Sequence, residues 1–318
     1  MNKQPDLQNI RAAHQRIAPY ILKTPVLSCT TLDRMVGARL FFKCENFQKA
    51  GAFKFRGACN AVFSLSDEQV SRGVVTHSSG NHAAALTLAA SKRGIVARIV
   101  MPSNAPPVKV YAVKGYGGII TFCEPTLASR ESTAAKVIKE TGATFIHSYN
   151  DYWIIAGQGT AALELIEEIS DLDFILAPVG GGGLLSGTAI AAKALNPKIK
   201  VIGCEPKNAD DAYRSMKAGR ILPSENPNTI ADGLKTSLGD KTFPIIRDLV
   251  HEILLATEEE IVTAMRHIFE RMKIVAEPSA AVPLAVLLSR QLDVTGKKVG
   301  VILSGGNVDF SRFFEALR

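Results

Sequence analysis

Short apolar runs alternate with longer segments of helical periodicity along most of the chain. The runs predict strands at 40–44, 74–76, 97–101, 119–122, 174–179, 200–204, 252–255 and 298–303. Apolar positions three and four residues apart predict helices at 82–93, 108–114, 128–141, 154–169, 185–195, 259–272 and 279–290. This alternation is typical of an α/β protein with mostly parallel sheets covered by helices on both faces.

Composition narrows the class of protein. The chain has 318 residues, which fits two domains or one large α/β unit, and its net charge is +7. The longest basic runs are pairs, so no nucleic-acid partner is expected.

Residues 1–6 are polar and predict no secretory signal. The charge-free stretch 174–192 contains four consecutive glycines and a proline, and it predicts a strand, loop and helix rather than a membrane span. Five cysteines without a CxxC pair favour a reducing cytoplasm.

The segment Ala-Phe-Lys-Phe-Arg-Gly at 52–57 places Lys54 among small and aromatic residues. This lysine is either a solvated charge at the start of a helix or an amine in a partly apolar pocket. In the second case its pKa falls, and it becomes a nucleophile that can form a Schiff base.

Two further motifs follow predicted strands, where parallel sheets bind their ligands. Ser-Ser-Gly-Asn-His at 78–82 opens an alanine-rich helix and could hold a carboxylate, although helix capping is the plainer alternative. Four consecutive glycines at 180–183 could enclose a phosphate with their backbone amides. A dinucleotide site is the rival interpretation, because Glu205 ends the next strand, but Ser186 stands where its third glycine should be.

Two other positions are candidates for ligand contacts. Ser304 follows the last predicted strand, where it could bond a ring nitrogen or cap the final helix. Glu205 and Asp211 lie six residues apart on a predicted loop. With a backbone carbonyl they could hold Mg²⁺ or Ca²⁺, although solvated loop acids are the plainer alternative.

Taken together, these motifs resemble the fold-type II pyridoxal-phosphate enzymes of the serine/threonine dehydratase family. The resemblance runs from Ile17 to Phe310 and includes residues 41–49, 156–160 and 229–233. It implies a tryptophan synthase β-like fold with two open, mostly parallel twisted sheets and flanking helices. It also implies a large cofactor-binding domain of residues 1–70 and 149–318, a small inserted domain of residues 71–148, and a homodimer.

The resemblance implies a role for each matched residue. Lys54 would bind pyridoxal 5′-phosphate covalently, and Ser79 would share catalysis with it. The other cofactor contacts would be Phe53 beside the ring, Asn81 at the 3′-oxygen, Gly180, Gly181, Gly182 and Gly183 at the phosphate, and Ser304 at the pyridine nitrogen. The substrate carboxylate would meet Ser78, Ser79, Asn81 and His82, with Arg130 approaching on closure. The ligands of Mg²⁺, Ca²⁺ or Mn²⁺ would be Glu205, the carbonyl of Ala209, and Asp211.

Racemisation needs acid–base groups on both faces of Cα. Lys54 would serve one face and Ser79 the other, whereas typical threonine dehydratases of the family have alanine at position 79. The expected activity is therefore interconversion of L- and D-serine, with β-elimination to pyruvate and ammonia. The alternative is an L-threonine/L-serine dehydratase or a 3-hydroxyaspartate dehydratase without significant racemisation. A non-catalytic cofactor or nucleotide binder is a third hypothesis, and it would need no amine at position 54.

The resemblance also makes ATP a candidate ligand. Lys49, Tyr116 and Asn307 match the nucleotide site of animal members of the family. Ala50 and the segment 29–31 depart from it, which argues against activation by ATP.

Overall fold

Ten strands form two separate sheets in the part of the chain that the structure describes. This computed structural model describes residues 1, 3–309, 313 and 315, so Phe310 and the predicted domain end at 318 lie outside the described residues. The strands are β1 (Val26–Leu27), β2 (Arg39–Cys44), β3 (Val74–His77), β4 (Ala97–Pro102), β5 (Ile119–Cys123), β6 (Thr144–Phe145), β7 (Phe174–Pro178), β8 (Lys200–Pro206), β9 (Glu252–Ala256) and β10 (Lys298–Leu303).

The larger sheet has the strand order β1-β2-β10-β7-β8-β9, and the smaller has the order β5-β4-β3-β6. The pair β1–β2 is antiparallel, and the other strand pairs of both sheets are parallel. The predicted fold of two mostly parallel sheets is confirmed. The two-residue strands β1 and β6 escaped prediction because they are too short to show a pattern.

Helices fill most of the connections between strands. In chain order they are α1 (Leu7–Ile17), α2 (Thr30–Val36), α3 (Lys54–Phe63), α4 (Asp67–Arg72), α5 (Asn81–Arg93), α6 (Pro107–Gly115), α7 (Leu127–Thr141), α8 (Tyr152–Glu168), α9 (Gly183–Leu195), α10 (Asp211–Ala218), α11 (Thr242–Leu249), α12 (Glu258–His267) and α13 (Pro278–Leu288). The predicted helix 259–272 is α12 followed by a π-helical turn, Ile268–Met272. Within the described residues, no helix combines the length and the apolar character that a membrane crossing requires.

Local sequence fixes several helix ends. Asp151 caps α8 by accepting from the backbone amides of Trp153 and Ile154. Thr257 and Glu260 form a capping box at the start of α12. Gly94 ends α5 in the left-handed conformation that glycine adopts without strain.

The interior of the larger sheet explains its strong sequence signal. Every residue of β7 is buried and apolar, and the first ten residues of α9 are buried as well and carry no charge. Parallel strands place their carboxyl ends at one edge of a sheet, which is where α/β folds bind ligands. The segments that follow β10 and β7 are therefore neighbours, since these two strands pair directly.

One local prediction needs correction. Glu205 and Asp211 were expected on a loop, but Glu205 lies within β8 and Asp211 is the first residue of α10. β8 thus continues beyond the predicted end of its apolar run, and the side chains of Glu205 and Asp211 are both buried.

Candidate active site

A cavity of about 480 Å³ lies at the carboxyl ends of β3, β7 and β10. Its wall contains all the residues that the sequence assigned to cofactor or substrate: Phe53, Lys54, Ser78, Ser79, Asn81, His82, Arg130, Gly180, Gly181, Gly182, Gly183 and Ser304. The residues assigned to a metal ion do not line this cavity. The tertiary structure thus collects side chains from five separate stretches of sequence in one place.

Lys54 is the first residue of α3, and its amine faces this cavity. Its Nζ donates to the carbonyl oxygen of Ser148 at 2.8 Å. Burial lowers the pKa of Lys54 to about 8, although the carboxylate of Glu277 acts in the opposite direction. The amine is therefore easier to deprotonate than that of a surface lysine, which is the property a nucleophile or base requires.

Ser304 lies beside the start of α3. Its carbonyl oxygen accepts from the backbone amide of Phe53 at 2.9 Å, and Ala52 forms a bridge with Gly305. The end of β10 is therefore fixed against the segment that carries Lys54, and the Ser304 side chain faces the cavity.

The four glycines form a tight loop between β7 and α9. A Cβ at Gly181 would lie 2.3 Å from the ring of Tyr149, and one at Gly180 would lie 2.9 Å from the Cα of Leu234. Gly182 has a φ of +90°, which disfavours other residues. The loop leads directly into the amino terminus of α9, whose free backbone amides favour an anion.

The loop at 78–82 has a similar character at the start of α5. Asn81 begins the helix, so the first amides of its backbone have no partner within the helix. Burial, followed by the charge of Lys54, lowers the pKa of His82 to about 3, which makes this imidazole neutral at pH 7.

The hydrogen bonds of His82 limit which of its groups can meet a carboxylate. Its Nε2 lies 3.2 Å from the carbonyl oxygen of Ile146, so this nitrogen carries the single ring proton. The buried Nδ1 has no hydrogen-bond partner among the described residues and can only accept. His82 can therefore contact a carboxylate through its backbone amide but not through its ring.

Sequence reasoning missed Glu277, a buried carboxylate that contacts Asn81. The Nδ2 of Asn81 donates to both Glu277 oxygens at 2.9 and 3.0 Å, and its Oδ1 accepts from Asn307 at 3.0 Å. Burial raises the pKa of Glu277 to about 7, although the hydrogen bonds from Asn81 lower it. Glu277 stands before Pro278 at a helix start, an ordinary sequence context that gives no sign of a site.

His147, on the segment after β6, was also absent from the predicted site. The Nδ1 of His147 accepts from the backbone amides of Tyr149 and Asn150 at 3.2 and 2.9 Å. Burial, together with His77 and Lys54, lowers the pKa of His147 to about 4. His147 is therefore a neutral imidazole whose proton is on Nε2, and it lines the same cavity.

The predicted metal ligands form a separate buried cluster. Glu205 accepts from the backbone amides of Ala212 and Tyr213, both at 2.9 Å. Asp211 accepts from the backbone amide of Leu238 with Oδ2, while its buried Oδ1 has no hydrogen-bond partner within the described part of the chain. Burial and then the charge of Asp211 raise the pKa of Glu205 to about 9, and burial raises that of Asp211 to about 7.

This arrangement bears on two predictions. The orphaned Asp211 oxygen and the mutual repulsion of two carboxylates are what a missing cation would leave behind. No group of three or more His, Cys, Asp or Glu side chains with metal-binding geometry occurs within the described ranges, so a cation would also need carbonyl or water ligands. Glu205 is engaged by backbone amides and does not line the cavity, so the structure gives no support to the rival dinucleotide interpretation.

Comparison with known proteins decides the family. Residues 17–305 match the family model described as "Pyridoxal-phosphate dependent enzyme". The chain belongs to this family. A protein named serine racemase from Oryza sativa subsp. indica is 52% identical over 317 residues, which covers 98% of this chain and 94% of that protein.

Two further relatives bear the names of two different activities within the family. A protein of Paracoccus denitrificans named beta-hydroxyaspartate dehydratase is 52% identical over 308 residues and covers 97% of this chain and 98% of its own length. The crystal structure of serine racemase from Dictyostelium discoideum superimposes with a TM-score of 0.93 at 52% identity. That match covers 96% of this chain and 99% of the other.

The residues in the cavity fit the cofactor of this family. The primary amine of Lys54, which has a lowered pKa, faces the cavity. Any Cβ in the glycine loop would clash with its neighbours, so the backbone amides of the loop are not covered by side chains. The neutral residue Ser304 also lies in the cavity wall, and its hydroxyl could bond a ring nitrogen. An amine that could bind an aldehyde, backbone amides that could hold a phosphate and a hydroxyl that could accept or donate a hydrogen bond thus share one cavity.

Proposed function

We propose that this protein interconverts L- and D-serine with pyridoxal 5′-phosphate and also catalyses β-elimination of serine to pyruvate and ammonia. The main observation in support is that Lys54, with its amine, and Ser79, with its hydroxyl, line the same cavity as the glycine loop. Relatives at 52% identity that bear the name serine racemase support the proposal.

Bound pyridoxal phosphate would supply an electron-accepting ring for the electrons left when a bond at Cα breaks. Lys54 would hold it covalently through Nζ, with Phe53 beside the ring. Gly180–Gly183 would hold the phosphate, and Ser304 would meet the pyridine nitrogen. Asn81 would contact the 3′-oxygen through the amide that also donates to Glu277.

Lys54 and Ser79 would move protons at opposite faces of Cα. A pKa of about 8 lets Lys54 exchange a proton near neutral pH. The Ser79 hydroxyl can both donate and accept. The substrate carboxylate would bind Ser78, Ser79, Asn81 and the His82 backbone amide at the start of α5, and Arg130 would approach when the two units close.

The second candidate is a hydroxyaspartate or threonine dehydratase without significant racemisation. The relative from Paracoccus denitrificans favours it, since its identity to this chain equals that of the plant proteins. Ser79 argues for racemisation, because elimination needs a base on one face of Cα only.

Several finer properties belong to the same proposal. We infer a large domain of residues 1–70 and 149–318, a small domain of residues 71–148, a homodimer and a cytoplasmic location. Mg²⁺, Ca²⁺ or Mn²⁺ would bind Glu205, the Ala209 carbonyl and Asp211, with the orphaned Asp211 oxygen as support. Tyr116 and Asn307 line a second cavity of about 910 Å³ where a nucleotide would fit, but Ala50 in its wall still argues against ATP activation.

Replacing Ser79 by alanine tests the proposal. D-serine formation should fall by about 100-fold or more, the usual contribution of one acid–base group, while pyruvate formation continues. Both products are followed separately from L-serine, with L-threonine and 3-hydroxyaspartate as competing substrates.

Ser78→Ala is the matched control, because it removes the neighbouring hydroxyl of the same loop. It should weaken substrate binding and reduce both products together. Unchanged D-serine formation in Ser79→Ala would refute the two-base assignment. A wild-type protein that forms pyruvate or oxaloacetate but no D-serine would support the dehydratase instead.

A further inference from the structure

Four charged side chains are buried together behind the first turn of α3. Lys43, Glu45, Arg56 and Glu164 each have at most 1% of their side chain exposed. Two positive and two negative charges balance within this cluster. Nothing in the proposed reaction uses them, although the segment 41–49 and Arg56 belong to motifs that the sequence singles out.

Arg56 is the centre of the cluster. Its Nε and Nη2 donate to the two oxygens of Glu45 at 2.7 and 2.8 Å. Its Nη1 and Nη2 donate to the two oxygens of Glu164, both at 2.8 Å. One planar guanidinium is thus held by two carboxylates at once, which fixes its orientation as well as its position.

The carboxylates are themselves anchored to other parts of the fold. Lys43, on β2, donates to Glu164 at 2.6 Å and to the carbonyl oxygen of Thr24 at 2.7 Å. The Thr24 hydroxyl donates to Glu45 at 2.5 Å. The cluster therefore connects α3 to β2, to the turn at Glu45 and to α8.

Helices α3 and α8 also pack closely through their backbones at the residue that follows Arg56. A Cβ at Gly57 would lie 2.5 Å from the side chain of Gln158, and a Cβ at Gly157 would lie 2.6 Å from the Cα of Gly57. Helices α3 and α8 thus touch through their glycines, next to the pair Arg56–Glu164. Rotation or sliding of α3 would break both contacts.

The charge pattern of α3 is unfavourable without these partners. Lys54 and Arg56 place two cations in its first turn, which has no acidic residue, whereas the positive end of a helix favours anions. Buried ion pairs are seldom needed for stability, because apolar replacements of similar volume serve as well or better. A role in precise placement of α3 explains the cluster better than stability does.

We propose that Arg56 is a positioning residue that, through its double contact with Glu45 and Glu164, fixes the first turn of α3 and thereby aims Lys54 into the cavity. Lys54 lies two residues before Arg56, and its amine meets the Ser148 carbonyl at 2.8 Å. The inference rests on the proposed role of Lys54 as the residue that binds the cofactor.

Arg56→Lys tests this inference, since lysine keeps the charge but cannot contact two carboxylates in a fork. The purified holoenzyme is compared with wild type by its visible absorption band, by its Kd for added pyridoxal 5′-phosphate and by its melting temperature. We expect the Kd to rise and kcat to fall by about tenfold or more, because misplacement near 1 Å costs up to about 100-fold. KM for serine should change much less than kcat.

Arg93→Lys is the matched control, because Arg93, the last residue of α5, contacts the carboxyl end of α3. The Arg93 guanidinium donates to the carbonyl oxygens of Val62 and Leu65, so its loss perturbs the same helix away from Lys54. This control should lower the melting temperature and leave the Kd and the absorption band within about twofold of wild type, the ordinary behaviour of a structural residue.

The inference is overturned if Arg56→Lys retains wild-type Kd and kcat, or if both variants lose cofactor affinity in proportion to melting temperature. Should Arg56→Lys fail to fold, Glu45→Gln weakens the same clamp while Arg56 keeps its contact with Glu164, and it should give a smaller change of the same kind. Lys54→Ala separates the two proposals. If the visible absorption band of the cofactor survives in Lys54→Ala, the proposed function is refuted. If the band is lost in Lys54→Ala but unchanged in Arg56→Lys, only the positioning role is refuted.

Discussion

Replacing Lys54 by methionine should stabilise the cofactor-free protein at neutral pH while abolishing covalent binding of the cofactor. Burial lowers the pKa of this lysine from 10.5 to about 8, so the charged amine disfavours the folded state. Each pKa unit is worth about 1.4 kcal/mol, and the difference of about 2.5 units corresponds to about 3 kcal/mol below pH 8. Loss of the hydrogen bond to Ser148 reduces the expected gain to about 1–3 kcal/mol.

The pH dependence provides the sharper test. Between pH 8 and 10.5 the folded wild-type protein binds fewer protons at Lys54 than the unfolded chain does, so its stability rises with pH in that interval. The advantage of Lys54→Met should therefore be complete at pH 7 and largely gone at pH 10.5. Urea unfolding of both proteins without cofactor, followed by circular dichroism, measures the difference in free energy of unfolding.

Lys193→Met is the matched control, because this lysine also donates to a backbone carbonyl oxygen, that of Ile199 at 2.7 Å, but lies far from the cavity. It should leave the free energy of unfolding unchanged or lower it. If Lys54→Met were less stable than wild type at pH 7, or if its advantage were the same at pH 10.5, the reasoning from burial would be refuted.

Two further predictions concern the cation and the phosphate loop. Removal of divalent cations by a chelator should lower the melting temperature by a few degrees, since the folded protein would lose a cation bound to Glu205 and Asp211, and Asp211→Asn should abolish this response. Equal melting curves with and without chelator would contradict the cation site. Gly181→Ala should raise the Kd for pyridoxal 5′-phosphate by at least about tenfold, because its Cβ would displace the Tyr149 ring. Gly115→Ala should not, because its Cβ would meet no atom of the described residues within 4 Å.

Much of the fold follows from local patterns along the chain. The buried run of β7 and the glycines after it predict a strand, a loop and a helix within a few residues of their observed bounds. The reason is physical: strands buried on both faces must be apolar throughout, and a turn that would clash with any Cβ must be glycine. Lys54 and the loop at 78–82 were recognisable for a similar reason, because their chemistry is concentrated in adjacent residues.

Other features were decided only by the tertiary structure. Glu277 contacts Asn81, which lies 196 positions away in the sequence, and Arg56 contacts Glu164, which lies 108 positions away. Neither glutamate stands in a local pattern that distinguishes it from a surface acid. The tautomer of His82 depends on one carbonyl oxygen 64 residues away, so local sequence could not show which ring nitrogen carries the proton.

The sequence by itself determined which segments become strands and helices and which carry reactive groups, since these properties depend on neighbours along the chain. The tertiary structure alone decided the low pKa of Lys54, the neutrality of the histidines and the pairing of buried charges. These depend on loss of water and on distances between remote residues, and both arise only when the two sheets and their helices have packed together.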